Sequence, residues 1–431
     1  MGRLGSVRVG WRREEDAYVI TLRLDAGEGI HGHGQGGAPM QLVTNEATFR
    51  FDGEQPDPHP DLLAVAALSI AVPWVKCRVR FSAAISPGLA EAIAEYFGLA
   101  AGPVDPRLDV RRSGSRVALA FGVGADSTAV SLVLPRDAPH IHLRRVSHRR
   151  VPNRFKEYRP EVFERLALGF EDLGRHVIIV PSDVEYLRAP HPTYATWPAV
   201  GVGAYLLADA LDLGSVAFGT VLGPRYLYGG LTFGLPTPKE HPWDHLFARA
   251  GLPFMMPLAG STEVTTGLIV RRAGLSSHVR SCPVGDESGP CWTCMKCFRK
   301  ELVTAAWDAR PLDDRLLRNL HEGHPIVERF RSPPPYPVHH MAEYGLARLI
   351  DGPTFLEEAA APFRDVRDET DWVARYYPRS AEFDVLPQWR STVGPAIAKE
   401  VEMMSTADVS HLEGWDALAR VGRLTGSRYR V

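Results

Sequence analysis

The sequence is poor in cysteine and lysine, and it has no long apolar run. It contains five cysteines and six lysines, so 43 of its 49 basic residues are arginine. No stretch approaches the roughly 18 uninterrupted apolar residues of a membrane-spanning helix, so we expect no membrane partner. The first residues lack the apolar segment of a secretory signal, which predicts a cytoplasmic protein.

Neither sign of charge dominates the composition. The 49 basic residues nearly balance 51 acidic residues, for a formal net charge of −2. We therefore do not expect a nucleic-acid partner, although a local basic patch leaves that partner open. Hydrophobic residues make up 45% of the 431 residues, and a chain of this length predicts two or three domains.

Four of the five cysteines lie close together. Cys282, Cys291, Cys294 and Cys297 have the spacing C-x8-C-x2-C-x2-C, whereas Cys77 lies in an alternating apolar stretch typical of a core. Clustered thiols in a large chain are typical of a metal site rather than of a disulfide framework. Four thiolates fill the tetrahedral shell of zinc, so the spacing predicts a closed structural Zn²⁺ site. An iron–sulfur cluster with four thiolate ligands is the alternative.

The sequence patterns divide the chain into three regions. Residues 1–112 are typical of a mixed α/β domain with a hairpin between 7 and 24. Residues 113–330 alternate apolar strands with helices, which predicts a parallel sheet with helices on both faces. Residues 331–431 have helical spacing. The predicted fold class is thus α/β, with this parallel sheet, an N-terminal α/β region and a helical C-terminal region.

Individual elements follow from the same patterns. We predict strands over 74–81, 117–121, 141–146, 176–180 and 215–219, and helices over 87–97, 127–134, 160–173, 198–213, 338–349 and 409–421. The glycine-rich segment 31–37 contains two histidines that can bind a metal, but its composition favours a flexible loop.

A glycine-containing loop joins the strand predicted over 117–121 to the next helix. Its residues are Gly122, Val123, Gly124, Ala125, Asp126, Ser127 and Thr128. Ligands of open parallel sheets bind beyond the carboxyl ends of the strands, and free amides at a helix start favour phosphate. Asp126 can bind Mg²⁺ or orient a leaving group. The loop lacks the Gly-Lys of a Walker A motif, and a strand–turn–helix corner without a ligand is the alternative.

The loop resembles the PP-loop of the N-type ATP pyrophosphatases, whose pattern is Ser-Gly-Gly-x-Asp-Ser. Gly124, Asp126 and Ser127 match this pattern, whereas Gly122 replaces the serine and Val123 replaces the first glycine. The loop and the cysteine spacing together are similar to the 7-cyano-7-deazaguanine synthases of the queuosine pathway, over residues 116–300. Thr262-Glu263 stands where that family usually has a lysine.

This resemblance implies a fold like that of the adenine-nucleotide α-hydrolases and an ATP-dependent carbon–nitrogen ligase. Such enzymes adenylate a carboxylate with release of pyrophosphate, and a nitrogen nucleophile then displaces AMP to give an amide or, eventually, a nitrile. The implied substrates are a small carboxylate and ammonia or another amine, and the implied cofactors are ATP, Mg²⁺ and Zn²⁺. The loop 122–128 would contact ATP, with Asp126 and Ser127 in catalytic roles.

A basic run follows the strand predicted over 141–146. It comprises His140, His142, Arg144, Arg145, His148, Arg149, Arg150, Arg154, Lys156 and Arg159. Its position predicts contact with phosphate or substrate, and His142 and Arg144 are the candidates for ATP binding; a solvated surface is the alternative. Arg299 and Lys300 directly follow the last cysteine, where the resembled family often has a basic residue, and a surface pair is the alternative there.

Two other functions stay open. Sulfur transfer to an adenylated carbonyl, as in some PP-loop enzymes, is less favoured because no spare cysteine lies near the loop. A degenerate PP-loop kept as a binding or regulatory scaffold without catalysis is suggested by Gly122 and Val123. The flanking regions 1–112 and 331–431 are candidate contacts for a homodimer or a partner protein.

Overall fold

The structure, a computed structural model, describes residues 6–25, 30–33, 39–52, 57–149, 151, 159–189, 193–237 and 241–426. The chain forms two compact units, each built from several segments. Unit 1 comprises Met1–Gly122, Pro135–Phe218 and Thr237–Met255, and unit 2 comprises Val123–Leu134, Gly219–Pro236 and Met256–Val431. Within the described ranges, none of the helices has the length and apolar character needed to cross a membrane.

The strands of the described residues are short. In chain order they are β1 (Ser6–Glu14), β2 (Ala17–Leu24), β3 (His31–His33), β4 (Pro39–Leu42), β5 (Glu46–Arg50), β6 (Arg78–Ile85), β7 (Ala100–Val104), β8 (Arg116–Ala120), β9 (His140–Arg145), β10 (Val177–Ser182), β11 (Arg188–Ala189), β12 (Leu213–Ala217), β13 (Leu227–Tyr228), β14 (Thr232–Phe233) and β15 (Phe254–Met255).

The helices become more frequent toward the C-terminus. They are α1 (Pro60–Ala71), α2 (Pro87–Phe97), α3 (Ala125–Val133), α4 (Pro160–Leu168), α5 (Val202–Leu207), α6 (Leu222–Tyr226), α7 (Pro242–Arg249), α8 (Glu263–Arg272), α9 (Met295–Asp308), α10 (Asp314–Leu317), α11 (Pro325–Arg331), α12 (His339–Leu346), α13 (Thr354–Ala360), α14 (Ser380–Phe383), α15 (Arg390–Glu400), α16 (Thr406–Glu413) and α17 (Ala417–Thr425). Short 3₁₀ helices cover Val72–Trp74, Val184–Leu187, Trp197–Gly201, Ser276–His278, Ala361–Ala374 and Pro387–Trp389.

Ten strands of unit 1 form one mixed sheet, in the order β15-β12-β8-β9-β10-β5-β2-β1-β6-β7. All neighbours from β15 to β10 are parallel, as their apolar runs predict. The sheet does not end there, because β5 pairs antiparallel with β10 and connects this half to the N-terminal strands. The fold is therefore α/β with one large mixed sheet flanked by helices, followed by a helical C-terminal region.

The N-terminal part of the sheet begins with the predicted hairpin. β1 and β2 pair antiparallel from Val7–Leu24 to Glu14–Ala17, and β1 pairs parallel with β6. One face of these strands is buried, since Val7, Val9 and Leu22 are each only 1% exposed. Helix α1 packs against β1 and β6. Alternation along the strands therefore separates a covered apolar face from an uncovered polar face.

Helix α2 has the bounds that its sequence predicts. The Ser86 hydroxyl accepts a hydrogen bond from the Leu89 amide, and Pro87 occupies the first turn, where its missing N–H is not needed. The helix ends at Gly98, whose φ of +66° is the left-handed conformation that glycine adopts readily.

Several predicted elements differ from the structure, among them the helix predicted over 160–173, which ends at Leu168. The strand predicted over 74–81 starts only at Arg78, because Val72–Trp74 forms a 3₁₀ helix first. The helix predicted over 198–213 is a 3₁₀ helix followed by the short α5, and Asp212, with a φ of +52°, ends helical geometry just before β12. His31–His33 is a strand paired with β4 rather than part of a flexible loop. Residues 34–37 lie outside the described residues.

The C-terminal part of unit 2 is helical, as predicted. Phe298, Leu302, Phe330, Leu346 and Leu356 belong to one buried core that draws on α9, α11, α12 and α13. The helix predicted over 338–349 is present as α12. The helix predicted over 409–421 is divided into α16 and α17, because the Asp416 side chain accepts hydrogen bonds from the first amides of α17 and starts a new helix.

A buried ion pair joins α17 to α12. Arg420 lies 2.6 Å from Glu343, and both side chains are almost completely buried. Arg420 also contacts Glu369 at 2.8 Å. Because a buried charge without a partner is costly, this pair fixes the register between the two helices.

Candidate functional site

The four clustered cysteines converge in unit 2, as their spacing predicts. All four sulfur atoms lie within 4.8 Å of one another. The shortest separations are 3.8 Å between Cys282 and Cys294, 3.7 Å between Cys291 and Cys297, and 3.5 Å between Cys294 and Cys297. None of the cysteines forms a disulfide. The chain therefore contains a four-thiol cluster that can hold a metal ion.

The sulfur separations fit a single ion. Four sulfurs at about 2.3 Å from a tetrahedral centre lie about 3.8 Å apart. An iron–sulfur cluster places several iron and sulfide atoms between its thiolates and so needs a wider arrangement. The hydrogen bond with Cys297 lowers the pKa of Cys294 to about 4, and the same contact raises the pKa of Cys297. The bare cluster thus does not favour four thiolates at once, which is the charge state that a divalent cation would stabilise.

The glycine-containing loop crosses the boundary of the units, since Gly122 ends the first segment of unit 1 and Val123 begins unit 2. Val123 is fully buried and has a φ of +57°. Glycine adopts this left-handed conformation freely, whereas a β-branched residue is strained there. The carbonyl oxygen of Val123 accepts a hydrogen bond from the Arg280 amide at 2.9 Å. The loop therefore has glycine-type backbone geometry at the position where the resembled family has glycine.

This strain predicts an unusual response to glycine substitution. In urea denaturation, the loss of free energy of unfolding should be about 2 kcal/mol smaller for Val123→Gly than for Val130→Gly. Both changes remove a buried valine, but only Val123→Gly relieves left-handed strain, worth about 1–2 kcal/mol, and only Val130→Gly puts glycine inside a helix, costing about 1 kcal/mol. Equal losses would show that the Val123 backbone is not strained.

Helix α3 begins with backbone amides that have no hydrogen-bond acceptor among the described residues. Its N-cap is Gly124, which has no side chain to cap the helix. The amides of Ala125, Asp126 and Ser127 have no acceptor among the described residues, whereas the amide of Thr128 bonds to the Gly124 carbonyl at 3.0 Å. The Ser127 hydroxyl turns back to that same carbonyl at 3.3 Å. Three free amides and the helix dipole make this position suitable for an anion.

Asp126 lies in the first turn of α3 and contacts α8. Its carboxylate accepts a hydrogen bond from the Thr266 hydroxyl at 2.6 Å. Burial raises the pKa of Asp126, and the charge of Lys300 opposes that rise while Glu263 adds to it. Asp126 is therefore held in a fixed orientation, with its charge sensitive to the basic residues nearby.

The cysteine cluster positions two lysines near Asp126. Cys294 is the N-cap of α9, and Cys297 lies in the first turn of this helix. Lys296 and Lys300, four residues apart on α9, share one face of the helix. Both lower the pKa of Asp126, Lys300 more strongly. The sequence analysis singled out Lys300 but missed Lys296, which lies between two metal-ligand candidates.

A cavity of about 530 Å³ opens beside the start of α3, entirely within unit 2. Ala125, Arg280, Lys296 and Lys300 all line it. Arg280, Lys296 and Lys300 form no ion pair within 4 Å in the part of the chain that the structure describes, and Arg280 Nε is buried without a partner. Two other arginines of the lining are neutralised by acidic neighbours. The cavity thus brings three cations to the start of α3, and the two lysines among them interact electrostatically with the Asp126 carboxylate.

Glu263 and His340 form a second feature that sequence reasoning missed. Glu263 opens α8 and lines the cavity, and its carboxylate lies 3.7 Å from Nε2 of the buried His340 on α12. Burial acts to raise the pKa of Glu263, but the His340 ring and the charge of Arg299 bring the pKa below its usual value. A negative charge is therefore maintained in the lining of the cavity. Glu263 and His340 are 77 positions apart, so no local sequence pattern predicts their contact.

His142 and Arg144, predicted for ATP binding, lie on β9 in unit 1. His142 is buried, and its Nδ1 lies 2.9 Å from the Phe121 carbonyl oxygen. Burial lowers the pKa of His142 to about 4, so its ring is neutral near pH 7. Arg144 pairs with Glu164 at 3.0 Å. Their contact with ATP stays a prediction.

The rest of the basic run is only partly described. Arg145 pairs with Glu185, and His148 lies 3.9 Å from Asp183. Arg150, Arg154 and Lys156 lie outside the described residues.

The comparisons with known proteins give one match. Residues 242–416 match the model of a family of unknown function, DUF6395. The matched range contains the four cysteines, both lysines of α9, Arg280, Glu263 and His340, but not the glycine-containing loop. The comparisons found no curated protein and no solved structure that matches this chain.

Proposed function

We propose that this protein binds ATP at the start of α3 and uses it to adenylate a carboxylate for amide or nitrile formation. The fold that we propose for the parallel half of the sheet is the adenine-nucleotide α-hydrolase type. In the proposed reaction a carboxylate oxygen attacks the α-phosphorus, and pyrophosphate leaves. Ammonia or another amine then attacks the acyl carbon, a proton is lost from nitrogen, and AMP leaves.

One observation carries this proposal: Ala125, the first residue of α3, lines the same cavity as Arg280, Lys296 and Lys300, and none of these three cations has an ion pair within 4 Å among the described residues. The three cations therefore lie around one space. Like charges brought together are unfavourable unless an anion is bound between them. A triphosphate carries enough negative charge to balance three cations, and amides at a helix start donate to its oxygens.

Asp126 has a different role in this proposal. A carboxylate repels phosphate, so its position in the first turn of α3 suits a ligand of the Mg²⁺ that accompanies ATP. Magnesium would neutralise charge that develops on the departing pyrophosphate. The Thr266 hydroxyl donates a hydrogen bond to one carboxylate oxygen of Asp126, and the other carboxylate oxygen would bind the metal. Ser127, whose hydroxyl bonds to Gly124, would contribute its amide rather than its hydroxyl.

We further propose that the four-cysteine cluster holds one structural Zn²⁺. All four coordination positions are filled by thiolates, so the metal would have no open position for substrate. Its effect on the cavity would come from the segments that it joins. The segment before Cys282 bonds to the glycine-containing loop through Arg280, and Cys294 starts the helix that carries both lysines. Zinc would therefore hold the loop and the lysines in one geometry.

The cavity also has an aromatic wall. Trp292 and Trp307 line it together with Met341. The guanidinium of Arg315 lies 4.4 Å from the centre of a Trp292 ring. These side chains offer apolar surface on which the adenine or an aromatic carboxylic acid can pack.

Turnover tests the proposal directly. The full chain, incubated with ATP, Mg²⁺, ammonium and a panel of planar heteroaromatic acids, should release pyrophosphate and AMP only with a suitable acid. An acid labelled with ¹⁸O in its carboxylate should transfer one label to AMP, because the carboxylate oxygen becomes bonded to the α-phosphorus. Mass spectrometry of AMP detects this transfer.

The same experiment separates the alternatives. ADP and phosphate as products, or unlabelled AMP, would contradict adenylation. Incorporation of labelled sulfide in place of ammonia would favour the sulfur-transfer enzyme. Calorimetry that detects neither ATP nor AMP binding at millimolar ligand would favour a scaffold without catalysis.

A further inference from the structure

The uncovered face of the N-terminal strands carries a row of arginines. Arg8 on β1 pairs with Arg23 on β2 and with Arg80 on β6. Directly paired residues point to the same side of a sheet, so the three side chains stand next to one another across three strands. Arg78, two residues before Arg80, lies on the same face. All four arginines are exposed.

This arrangement is unfavourable for the isolated protein. Like charges directly opposite each other on paired strands destabilise a sheet. Asp25 pairs with Arg8 at 3.3 Å and also interacts electrostatically with Arg80, whereas Arg23 and Arg78 have no ion pair within 4 Å in the described ranges. One carboxylate among four arginines leaves an excess of positive charge, and a row that costs stability in this way indicates an anion that binds from outside. The site lies within unit 1 and does not depend on the proposed ATP reaction.

The surroundings of the row indicate the type of anion. The four arginines line an open depression of about 740 Å³ whose floor includes Gly10, Thr21 and Ser82. Gly10 pairs with Thr21, so small residues and hydroxyl groups adjoin the arginines. Val9, Val79 and Phe81 also adjoin the depression, but each is at most 5% exposed, so none of the three offers an apolar surface to a ligand. Arginine and hydroxyl side chains are the groups that contact phosphates of nucleic-acid backbones.

We propose that this face, defined by Arg8, Arg23, Arg78 and Arg80, binds the sugar–phosphate backbone of a duplex nucleic acid without sequence preference. A protein partner would need an exposed apolar or aromatic anchor at the centre of its contact, whereas Val9, Val79 and Phe81 are almost completely buried. Single strands are bound with exposed aromatic side chains on which bases stack, and the one aromatic residue that the described lining contains, Phe81, is 5% exposed. The three strands that carry the arginines, at about 4.8 Å spacing, place the strand positions of Arg23 and Arg80 about 10 Å apart, within the width of a duplex.

The test is fluorescence anisotropy with the full chain and labelled 20-base-pair RNA and DNA duplexes. Binding should be measurable at 50 mM salt and weaken steeply toward 200 mM. Arg23→Glu and Arg80→Glu should each weaken binding by about tenfold, and each should reduce the slope of log K against log salt by about one. Arg107→Glu, an exposed charge reversal in the turn after β7, is the matched control and should change affinity less than twofold.

Several outcomes would overturn the proposal. One is the absence of binding to either duplex at 50 mM salt. Another is a loss of duplex affinity with Arg107→Glu that equals the loss with Arg23→Glu or Arg80→Glu. Tighter binding of a single strand than of a duplex would contradict the backbone assignment. Binding of poly-glutamate without binding of duplex would point to an acidic protein instead. A preference for the RNA duplex or for the DNA duplex would identify which nucleic acid binds, and either preference would support the proposal.

A milder variant separates binding from folding. Because the arginine row is electrostatically unfavourable, Arg80→Gln should leave the melting temperature unchanged or raise it while it weakens duplex binding. A lower melting temperature with Arg80→Gln would show that the row serves the fold, and it would overturn the proposal.

Discussion

Cys294→Ser should abolish the proposed zinc binding and lower the melting temperature of unit 2 by at least about 4 °C, which corresponds to about 2 kcal/mol for a cooperative unit of its size. Zinc contributes on the order of 10 kcal/mol to the folding of isolated zinc peptides. Unit 2 has its own buried core, so the loss here should be smaller. Elemental analysis should find one zinc per chain in the unaltered protein and less than a tenth of that in the variant.

Cys77→Ser is the matched control for this change. Cys77 lies in unit 1, outside the cluster, and is only partly buried. This variant should keep its zinc and its melting temperature. Iron with inorganic sulfide, or no metal in protein purified without chelator, would contradict the zinc assignment.

Cys294→Ser should also weaken ATP binding, although Cys294 is not part of the cavity lining. Cys294 caps α9, and loss of the metal frees the first turn of the helix that carries Lys296 and Lys300. Chelation of zinc from the unaltered protein should have the same effect as the substitution. This common effect distinguishes loss of the metal from a local disturbance by serine.

Local patterns predicted a large part of the fold. The C-x8-C-x2-C-x2-C spacing led to the thiol cluster because metal ligands are close in sequence when they share a loop. The hairpin of β1 and β2, the bounds of α2 and the parallel pairing of β8, β9, β10 and β12 followed from alternation, capping residues and apolar runs. In each case the signal is contained within about 20 residues.

What the sequence did not reveal depends on contacts between distant segments. The pairing of β5 with β10 joins the N-terminal strands and the parallel strands into one sheet. No local pattern specifies this pairing. The arginine row combines β1, β2 and β6, so it becomes visible only when the register of both pairings is known. His340 likewise meets Glu263 through the packing of the C-terminal helices.

Val123 illustrates a different limit. The sequence identified it as a departure from the resembled glycine pattern, which suggested a changed loop. The structure retains the left-handed backbone, with a φ of +57°, and buries the valine side chain. A substitution at a glycine position can therefore be absorbed as strain, and only the backbone dihedral distinguishes strain from a rearranged loop.

Lys300→Met should reduce the rate of pyrophosphate release at saturating acid by about 100- to 1,000-fold, the size of effect seen when one preorganised donor to a developing negative charge is removed. Methionine preserves the length and the apolar stem of lysine, so the packing of α9 should persist. Lys399→Met is the matched control, because Lys399 is an exposed lysine on α15 whose nearest acidic neighbour, Glu400, is 3.9 Å away. The control should retain the activity of the unaltered protein, and Lys296→Met should show an intermediate loss.

The pH profile distinguishes an electrostatic role of Lys300 from a structural one. Burial raises the pKa of Asp126, and the charge of Lys300 is the strongest influence that lowers it. Without Lys300 the folded-state pKa rises further, so Asp126 accepts a proton at higher pH and loses its charge for Mg²⁺ sooner as the solution is acidified. The acidic limb of the residual activity should therefore move to higher pH in Lys300→Met and stay in place in Lys399→Met. A uniform loss of activity with an unmoved acidic limb, or a loss accompanied by release of zinc, would show that Lys300 supports the structure and does not act on the bound anion.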